Sequence, residues 1–351
     1  MLSRVADCLY WIGRYIERVE NTARLLEVNL QLMLDFDSND EGAETNWQAV
    51  LQTTLCVKSF YEEHQTANNQ TVTDFLTFNR QNHTSIISSI HAARENARMI
   101  RDQITEEMWE AINELYHFVR ESNAEAVWHD DVYTFFRRIK GYVYRMQGLT
   151  HSTYVRKEGY KFMQIGQFLE RADQTTRILD LKTYLPLPET QSVGGVADGA
   201  GWVAVLKSSS ALDAYLHVYP ADVQGSQVAE FLILSPDFPR SLRFCLRQID
   251  QHLRALSGTG EGFFSNPVEK AVGRLRAEVA YTTREEIDEE GLHHFVDRVQ
   301  RTLNEINNEI FETYFALPAF DLEKEIARFL PETRPMQSQS QTQGTQSQKQ
   351  G

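Results

Sequence analysis

The sequence predicts an all-α fold, a multi-helix bundle built from two tandem repeats related by a pseudo-twofold axis. Three observations support this prediction. Apolar residues recur with the 3.6-residue period of a helix along most of the 351 residues. No segment alternates apolar and polar residues as a half-buried strand does. One segment of sixteen residues also occurs twice.

The internal repeat is long enough to indicate a duplication. Residues 12–27 read IGRYIERVENTARLLE and residues 165–180 read IGQFLERADQTTRILD, with seven of sixteen positions identical. The offset of 153 persists with a small drift, because WQAVL at 47–51 recurs as WVAVL at 202–206. Such self-similarity marks repeated structural units, so a functional site is expected either twice or across the twofold axis.

The repeat also predicts the domain organisation. We expect a first helical repeat over 1–153 and a second over 154–330, with a break near 184–201 where proline and glycine cluster. Residues 331–351 are rich in Gln, Ser and Thr and are expected to be a disordered tail. A single fused bundle is favoured, because the two longest helices each need a large apolar partner.

In the first repeat, the apolar pattern predicts a long helix over 3–34 with Ser3 as its capping residue. The polar segment 35–44 ends this helix. Thr105, which precedes two glutamates, marks a further helix start. The other helices are predicted over about 45–63, 71–79, 84–103, 106–121 and 130–149.

In the second repeat, a long helix is predicted over about 154–183. Asn266 followed by Pro267 is a helix start, because the amide caps the helix and proline suits its first position. The other helices are predicted over about 202–217, 226–234, 239–256, 267–282 and 291–316.

Composition restricts the partners. The net charge of −14 argues against binding to nucleic acid or to an anionic membrane surface. No apolar run approaches the roughly 20 residues that a membrane span requires. The first residues of the chain are not expected to be a signal peptide, because charged residues interrupt the apolar stretch that such a peptide needs. Cys8, Cys56 and Cys245 are isolated and expected to be buried free thiols, so a cytoplasmic location is expected.

The repeated segment carries one row of polar residues beside its apolar stripe. A charge at such a position is partly buried and needs a partner. A glycine heads each row, which indicates close approach of a backbone or a ligand. Arg14, Arg18 and Asn21 are placed on the far side of the first helix, and Arg171 opposite the second row. The rows are Gly13, Glu17, Glu20 and Arg24, and Gly166, Glu170, Asp173 and Arg177.

Three interpretations of these rows stay open. The rows form an ion-pair lattice between helices, or their arginines hold the carboxylate or phosphate of a ligand. A di-metal carboxylate site is the third, and it is disfavoured because neither row contains the Glu-x-x-His motif that supplies histidine ligands. No metal and no cofactor are therefore expected. The additional ligand-binding candidates are Arg18 and Arg171, next to the glutamates, Arg156 and Glu158, ahead of the second row, and Arg240, at a helix start.

Several segments resemble the bacterial alpha-E domain family, over residues 1 to about 316. They are MLSRVADCLYWIGRYIERVENTARLL at the start, AREN with RDQI near residue 100, GQFLERADQTTRILD, and VAEFL followed by FPRS. Glu17-Arg18 and Glu170-Arg171 look like the two Glu-Arg motifs of this family. The resemblance implies a helical partner of circularly permuted ATP-grasp amide ligases, in peptide synthesis or tagging.

Two hypotheses of function follow. In the first, the chain is a non-catalytic module that docks such a ligase and binds an acidic peptide or amino acid in a Glu/Arg-lined groove. Its arginines, Arg24, Arg177, Arg156 and Arg240, would hold carboxylates, while Glu17, Glu20, Glu170 and Asp173 would orient them or hold an amine. In the second, paired carboxylates act as general acid and base on an amide, which requires one carboxylate of raised pKa beside a cleft. No nucleophile or nucleotide-binding signature supports independent catalysis.

Overall fold

The computed structural model describes residues 1–35, 41–184, 196–220 and 222–316. The helices of the first half are α1 (Ser3–Leu32), α2 (Glu41–Thr53), α3 (Val57–Glu63), α4 (Asn69–Thr77), α5 (Ile86–Met99), α6 (Glu106–Glu121), α7 (Ala124–Asp130) and α8 (Val132–Thr153). Those of the second half are α9 (Glu158–Tyr184), α10 (Val196–Ser208), α11 (Leu212–Val218), α12 (Gly225–Leu234), α13 (Leu242–Ser257), α14 (Pro267–Tyr281), α15 (Arg284–Glu290) and α16 (Leu292–Ile310). Short 3₁₀ turns follow α1 and α5, and a π-helical turn, Phe311–Phe315, follows α16.

The all-α prediction is confirmed, and the described residues contain no strand. Nor does any described helix combine the length and apolar character that crossing a membrane requires. The predicted tail over 331–351 and most of the predicted break lie outside the described residues.

The helix starts were predicted with mixed success. Asn266 caps α14 by accepting a hydrogen bond from the Glu269 backbone N–H, with Pro267 at the first position, as expected. Ser3 does not cap α1, because the helix already begins at Ser3. The capping position belongs to Leu2, whose side chain offers no acceptor. The first backbone N–H groups of α1 therefore lack a side-chain cap.

Two predicted helices are each broken in the middle. The segment 45–63 divides at Leu55 and the segment 202–217 divides at Ser210, and both residues have a positive φ, 58° and 48°. The residue after each break donates its backbone N–H to a carbonyl five residues back: Cys56 to Leu51, and Ala211 to Leu206. A left-handed residue that ends a helix is usually glycine, so its signal was absent from the sequence.

The structure also adds two short helices that the apolar pattern missed, α7 and α15. Each is only 7 residues long, so its apolar stripe is too short to recognise. Each begins at a polar cap: Asn123 accepts from the Ala126 N–H, and Thr283 forms a capping box with Glu286.

The two copies of the repeated segment, α1 and α9, form the centre of the bundle. Hydrogen-bonded partners are 157 residues apart at Met1 and Glu158 and 154 apart at Glu17 and Arg171, so the helices run parallel. α1 packs on α5 and α8, while α9 packs on α13 and α16. These matched contacts support the duplication, which stays a prediction.

This packing leaves little of the central helices exposed. Every residue of α1 from Glu20 to Leu30 is buried, including its polar residues. Residues 1–316 form one compact unit. The helical wheel of an isolated helix has a polar far side, but here neighbouring helices cover that side as well.

Candidate functional site

α1 and α9 cross at the two glycines that head the polar rows. A Cβ atom on Gly13 would lie 2.1 Å from the carbonyl oxygen of Met163, and one on Gly166 would lie 2.1 Å from the carbonyl oxygen of Tyr10. Only hydrogen fits at either position. The sequence indicated a close approach by a backbone or a ligand, and the backbone of the other copy makes it. This contact brings the two Glu-Arg motifs side by side.

The two Glu-Arg motifs bind each other reciprocally. Arg171 donates from Nε and Nη2 to the two carboxylate oxygens of Glu17, at 2.7 and 2.8 Å. Arg18 donates from Nε and Nη2 to the two oxygens of Glu170, at 2.7 and 2.9 Å. Both pairs are bidentate, the strongest geometry for a guanidinium and a carboxylate. Each glutamate is fully buried, at 0% side-chain exposure.

Glu17 and Glu170 each also accept a hydrogen bond from a second arginine, and these two arginines come from different parts of the fold. Arg14 donates to Glu170 at 2.7 Å, and Arg240 donates to Glu17 at 2.9 Å. In the second copy the position of Arg14 is Gln167, which donates to Glu17 at 3.2 Å. The two halves of the site thus share a plan but differ in charge.

Arg240 continues the network to the next turn of α1. It donates to Glu20 at 2.9 Å and to Asn21 at 3.2 Å. Arg24 donates to Glu20 and, at 2.7 Å, to the backbone carbonyl of Ser208 on α10. The predicted pairing of Glu20 with Arg24 within one helix is therefore present, and it is joined by an arginine that lies just ahead of α13.

The second row contains the equivalent pair. Arg177 donates from Nε to Asp173 at 2.9 Å, with both side chains about nine-tenths buried. The other oxygen of Asp173, Oδ1, is buried and has no hydrogen-bond partner among the described residues. This pair stands apart from the hydrogen bonds around Glu17 and Glu170. The Glu–Arg lattice is defined as Glu17, Glu20, Glu170, Arg14, Arg18, Arg24, Arg171 and Arg240.

Four placements made from the helical wheel are wrong. Arg14, Arg18 and Asn21 were assigned to the far side of α1, and Arg171 to the side opposite its row. Arg14, Asn21 and Arg171 are buried and Arg18 is 17% exposed, and the three arginines make ion pairs with glutamates. A helical wheel records one apolar stripe, whereas a central helix is covered on several sides.

Ionisation of the lattice is fixed by its arginines. Burial works to raise the pKa of Glu17, but the charges of Arg171 and Arg240 lower it to about 2. Burial is likewise overcome at Glu170, where Arg18 and Arg14 lower the pKa to about 2. Both carboxylates are therefore ionised near neutral pH, and neither carries a proton to give.

The lattice holds more positive than negative charge. Glu170 is shared by two guanidiniums, Arg14 and Arg18, while Glu17 and Glu20 face three. Each group therefore has one positive charge in excess. Burial and the charge of Arg240 lower the pKa of Arg24 to about 10, which still leaves it charged near neutral pH.

Arg156 and Glu158 do not join the lattice. Glu158 is exposed and pairs with the amino terminus of Met1 at 2.9 Å, and Arg156 lies over the ring of Tyr160. They line a separate pocket of about 570 Å³ at the shared amino-terminal end of α1 and α9. The pocket is lined by Met1, Leu2, Val5, Gln103, Arg156, Lys157, Glu158 and Lys161.

Two further expectations concern metals and thiols. The described residues hold no group of three or more His, Cys, Asp or Glu side chains that could bind a metal ion. Cys8, Cys56 and Cys245 are buried and free, as expected. Burial raises the pKa of Cys245, next to Arg171, to about 12, so this thiol stays protonated near neutral pH.

The sequence did not single out several residues that complete the lattice. Tyr144 donates to Glu20 at 3.0 Å, and Gln147 donates to Glu17 at 3.2 Å. Both belong to α8, which packs on α1. Ser208 accepts from Arg24 through its backbone carbonyl, which no side-chain pattern reveals. Arg14 alone had a signal, because it replaces a glutamine of the other copy.

Comparison with known proteins relates the chain to one family. Residues 1–315 match the model of the Alpha-E family, described as a predicted alpha-helical domain with a conserved ER motif. Uncharacterised proteins of Mycobacterium bovis and Mycobacterium tuberculosis are 23% identical over 345 residues. The match covers 90% of this chain but 37% of each relative, so the chain spans little more than a third of their length. No solved structure matches.

Proposed function

The chain belongs to the Alpha-E family, and from that premise we propose that it is a helical binding module that works with an ATP-grasp amide ligase. The Glu–Arg lattice is the rigid centre of this module. The surfaces around it bind the ligase and a carboxylate-bearing ligand or peptide. The association with a ligase rests on the family resemblance, and the division of roles rests on the geometry.

The mutual saturation of Glu17 and Glu170 carries this proposal. Both carboxylates use both oxygens on guanidiniums of the protein itself, and both are fully buried. A motif that binds its own copy has a structural role, since its glutamate has no carboxylate oxygen left for a substrate. The general acid–base alternative needs a raised pKa beside a cleft, whereas the pKa of each glutamate is lowered to about 2.

We assign the ligase contact to the amino-terminal surface, defined as Met1, Leu2, Val155, Arg156 and Lys157. Its apolar members are unusually exposed, with Leu2 at 78% and Val155 at 63%. Two cations lie beside them, and the acid that lines the pocket, Glu158, is paired with the amino terminus. On a chain of net charge −14, a local basic and apolar surface suits an acidic, partly apolar face of a partner.

The test is an affinity pull-down of the tagged chain from its native cell extract, with partners identified by mass spectrometry. We expect an ATP-grasp ligase with the unaltered chain, and its loss with Arg156→Glu/Lys157→Glu. Arg274→Glu is the matched control, because Arg274 is exposed on α14 and has no ion pair within the described part of the chain. Recovery of no ligase with any variant would refute the ligase partnership. Equal recovery with all three would refute the assigned surface alone.

A further inference from the structure

The two copies of the repeated segment differ on one face, which in the first copy is buried at Tyr10 and Arg14 and partly exposed at Trp11 and Tyr15. The first copy has aromatic and guanidinium side chains where the second has sulfur, amide and phenyl groups. The second copy still forms its bidentate Glu-Arg pair, so the reciprocal pairing does not require the side chains peculiar to the first copy. The corresponding residues are Tyr10, Trp11, Arg14 and Tyr15 in the first copy, and Met163, Gln164, Gln167 and Phe168 in the second.

Trp11 and Tyr15 form an aromatic surface along α1, and the guanidiniums of Arg14 and Arg18 lie beside their rings. The rings of Trp11 and Tyr15 stack with their centroids 5.3 Å apart and their planes 27° apart. Arg14 lies 5.5 Å from the Trp11 centroid, and Arg18 lies 5.6 Å from the Tyr15 centroid. Both rings are partly exposed. The same two arginines bind the buried Glu170, so the surface is joined directly to the lattice.

A cavity lies at each end of this surface. The first, of about 490 Å³, is lined by Trp11 and by residues of α16 and the π-helical turn, including Asn307 and the half-exposed Phe311. The second, of about 390 Å³, is lined by Tyr15 and by residues at the start of α5, including His91. Each volume is within the range of small-molecule sites. The α1 groove is defined as Trp11, Arg14, Tyr15 and Arg18 with these two cavities. Trp11 lines the first cavity together with Glu312, and Tyr15 lines the second, while the two arginines lie beside these rings and line neither cavity.

The charge in the groove is incomplete. Arg14 and Arg18 share the single carboxylate of Glu170. Arg14 also donates to the hydroxyl of Tyr10 and to Asn307, both neutral. Arg14 Nη2 and Arg18 Nη1 have no hydrogen-bond partner within the described residues, although Arg14 is only 9% exposed. The two guanidiniums are hydrogen-bonded to one carboxylate, while Asp173 acts on Arg14 through its charge without a hydrogen bond. A ligand carboxylate at the unused Nη atoms would therefore gain charge-assisted hydrogen bonds.

We propose that the α1 groove binds the free carboxylate of an amino acid or peptide, with Arg14 and Arg18 as its counter-ions and Trp11 as the platform for its side chain. This inference rests on the proposed function, since it locates the ligand site of the binding module. Arginine forks recognise carboxylates by paired hydrogen bonds, and an indole face packs against apolar groups. The equivalent face of α9 lacks these groups and binds no such ligand.

The test is isothermal titration of the isolated chain with three acid and amide pairs: N-acetyl-glycine, N-acetyl-glutamate and N-acetyl-phenylalanine, each with its α-amide. We expect at least one acid to bind with a Kd below about 1 mM, and its amide to bind at least about tenfold more weakly. No acid binding in this range, or equal binding of acid and amide, would overturn the proposal.

Variants locate the binding. Arg14→Gln copies Gln167 of the second repeat, where glutamine is accommodated beside a glutamate, so the variant is expected to fold. It should weaken acid binding about tenfold and leave amide binding unchanged. Trp11→Gln should weaken both. Trp109→Gln is the control, because Trp109 also lies near two guanidiniums, Arg94 and Arg101, outside the groove.

Equal effects of Trp11→Gln and Trp109→Gln, or none from Arg14→Gln, would contradict the assigned site. The titration and the pull-down fail independently. Ligase recovery without ligand binding would refute only the ligand site in the α1 groove. Ligand binding without ligase recovery would refute only the partnership with the ligase.

Discussion

Neighbouring residues of a helix point about 100° apart, so the glutamate and the arginine of a Glu-Arg pair are directed to different neighbours. In this protein Arg18 reaches Glu170 on α9 instead, and Arg171 reaches Glu17 on α1. The dipeptide Glu-Arg occurs in the chain at these two places only. At the residue scale, each Glu-Arg motif therefore forms its ion pairs with the other copy of the same motif.

Removal of one glutamate should show how much these ion pairs contribute to the free energy of unfolding. Glu170→Gln leaves Arg14 and Arg18 buried without a carboxylate, so we expect the free energy of unfolding to fall by about 3–5 kcal/mol in urea denaturation. Glu95→Gln is the matched control. Glu95 also pairs with two arginines, but its side chain is 31% exposed, and a loss below about 1 kcal/mol is expected. Equal losses in the two variants would contradict the burial argument.

The same glutamates predict how stability depends on pH. Both have a pKa of about 2 in the folded chain against 4.5 as the ordinary value. Between these values the unfolded chain binds more protons, so the stabilisation is complete above pH 4.5 and is lost as the pH falls toward 2. We expect the free energy of unfolding to decline steeply across this window. Glu170→Gln should decline less steeply, and an identical slope would exclude Glu170 as a source.

At the scale of elements, the crossing of α1 and α9 depends on two glycines at equivalent positions. Glycine costs up to about 1 kcal/mol in a helix interior, so its presence in both copies needs a compensating gain. The gain is the direct contact of each Gly with a carbonyl of the other helix, Gly13 with Met163 and Gly166 with Tyr10. This approach sets the distance at which the Glu-Arg pairs become bidentate.

Alanine at these glycines should separate the helices. A Cβ on Gly13 or Gly166 would lie 2.1 Å from a backbone oxygen, which cannot move as a flexible side chain can. We expect Gly13→Ala and Gly166→Ala each to lower the free energy of unfolding by about 3 kcal/mol or more. Gly148→Ala, on the exposed face of α8 with nothing within 4 Å, should raise it by about 0.5–1 kcal/mol. A tolerated Gly13→Ala would refute the contact.

The elements themselves were predictable to different degrees. Long helices with a sustained apolar stripe, such as α6 and α14, begin where their caps indicated, at Thr105 and Asn266. The breaks at Leu55 and Ser210 were not predictable, because neither residue favours a left-handed conformation. There the local preference is overridden by the packing of the helices on each side.

At the scale of the whole molecule, charge is segregated. The chain has a net charge of −14, yet the Glu–Arg lattice at its centre holds five arginines against three glutamates. The acidic excess therefore lies outside the lattice, while Arg18, one of the five arginines, is 17% exposed at the α1 groove. A ligand carboxylate would meet an attractive charge in this groove, although the protein as a whole repels anions.

The sequence by itself determined the helical class, the two related segments, and the need for partners of the buried charges. It determined these because helical periodicity and repetition are local properties of the chain. Only the tertiary structure decided which arginine meets which glutamate. The partners are 154 residues apart for Glu17 and Arg171, and their pairing is set by the parallel crossing at Gly13 and Gly166. The same packing buried Arg14 and covered most of Arg18, which an isolated helix would place in water.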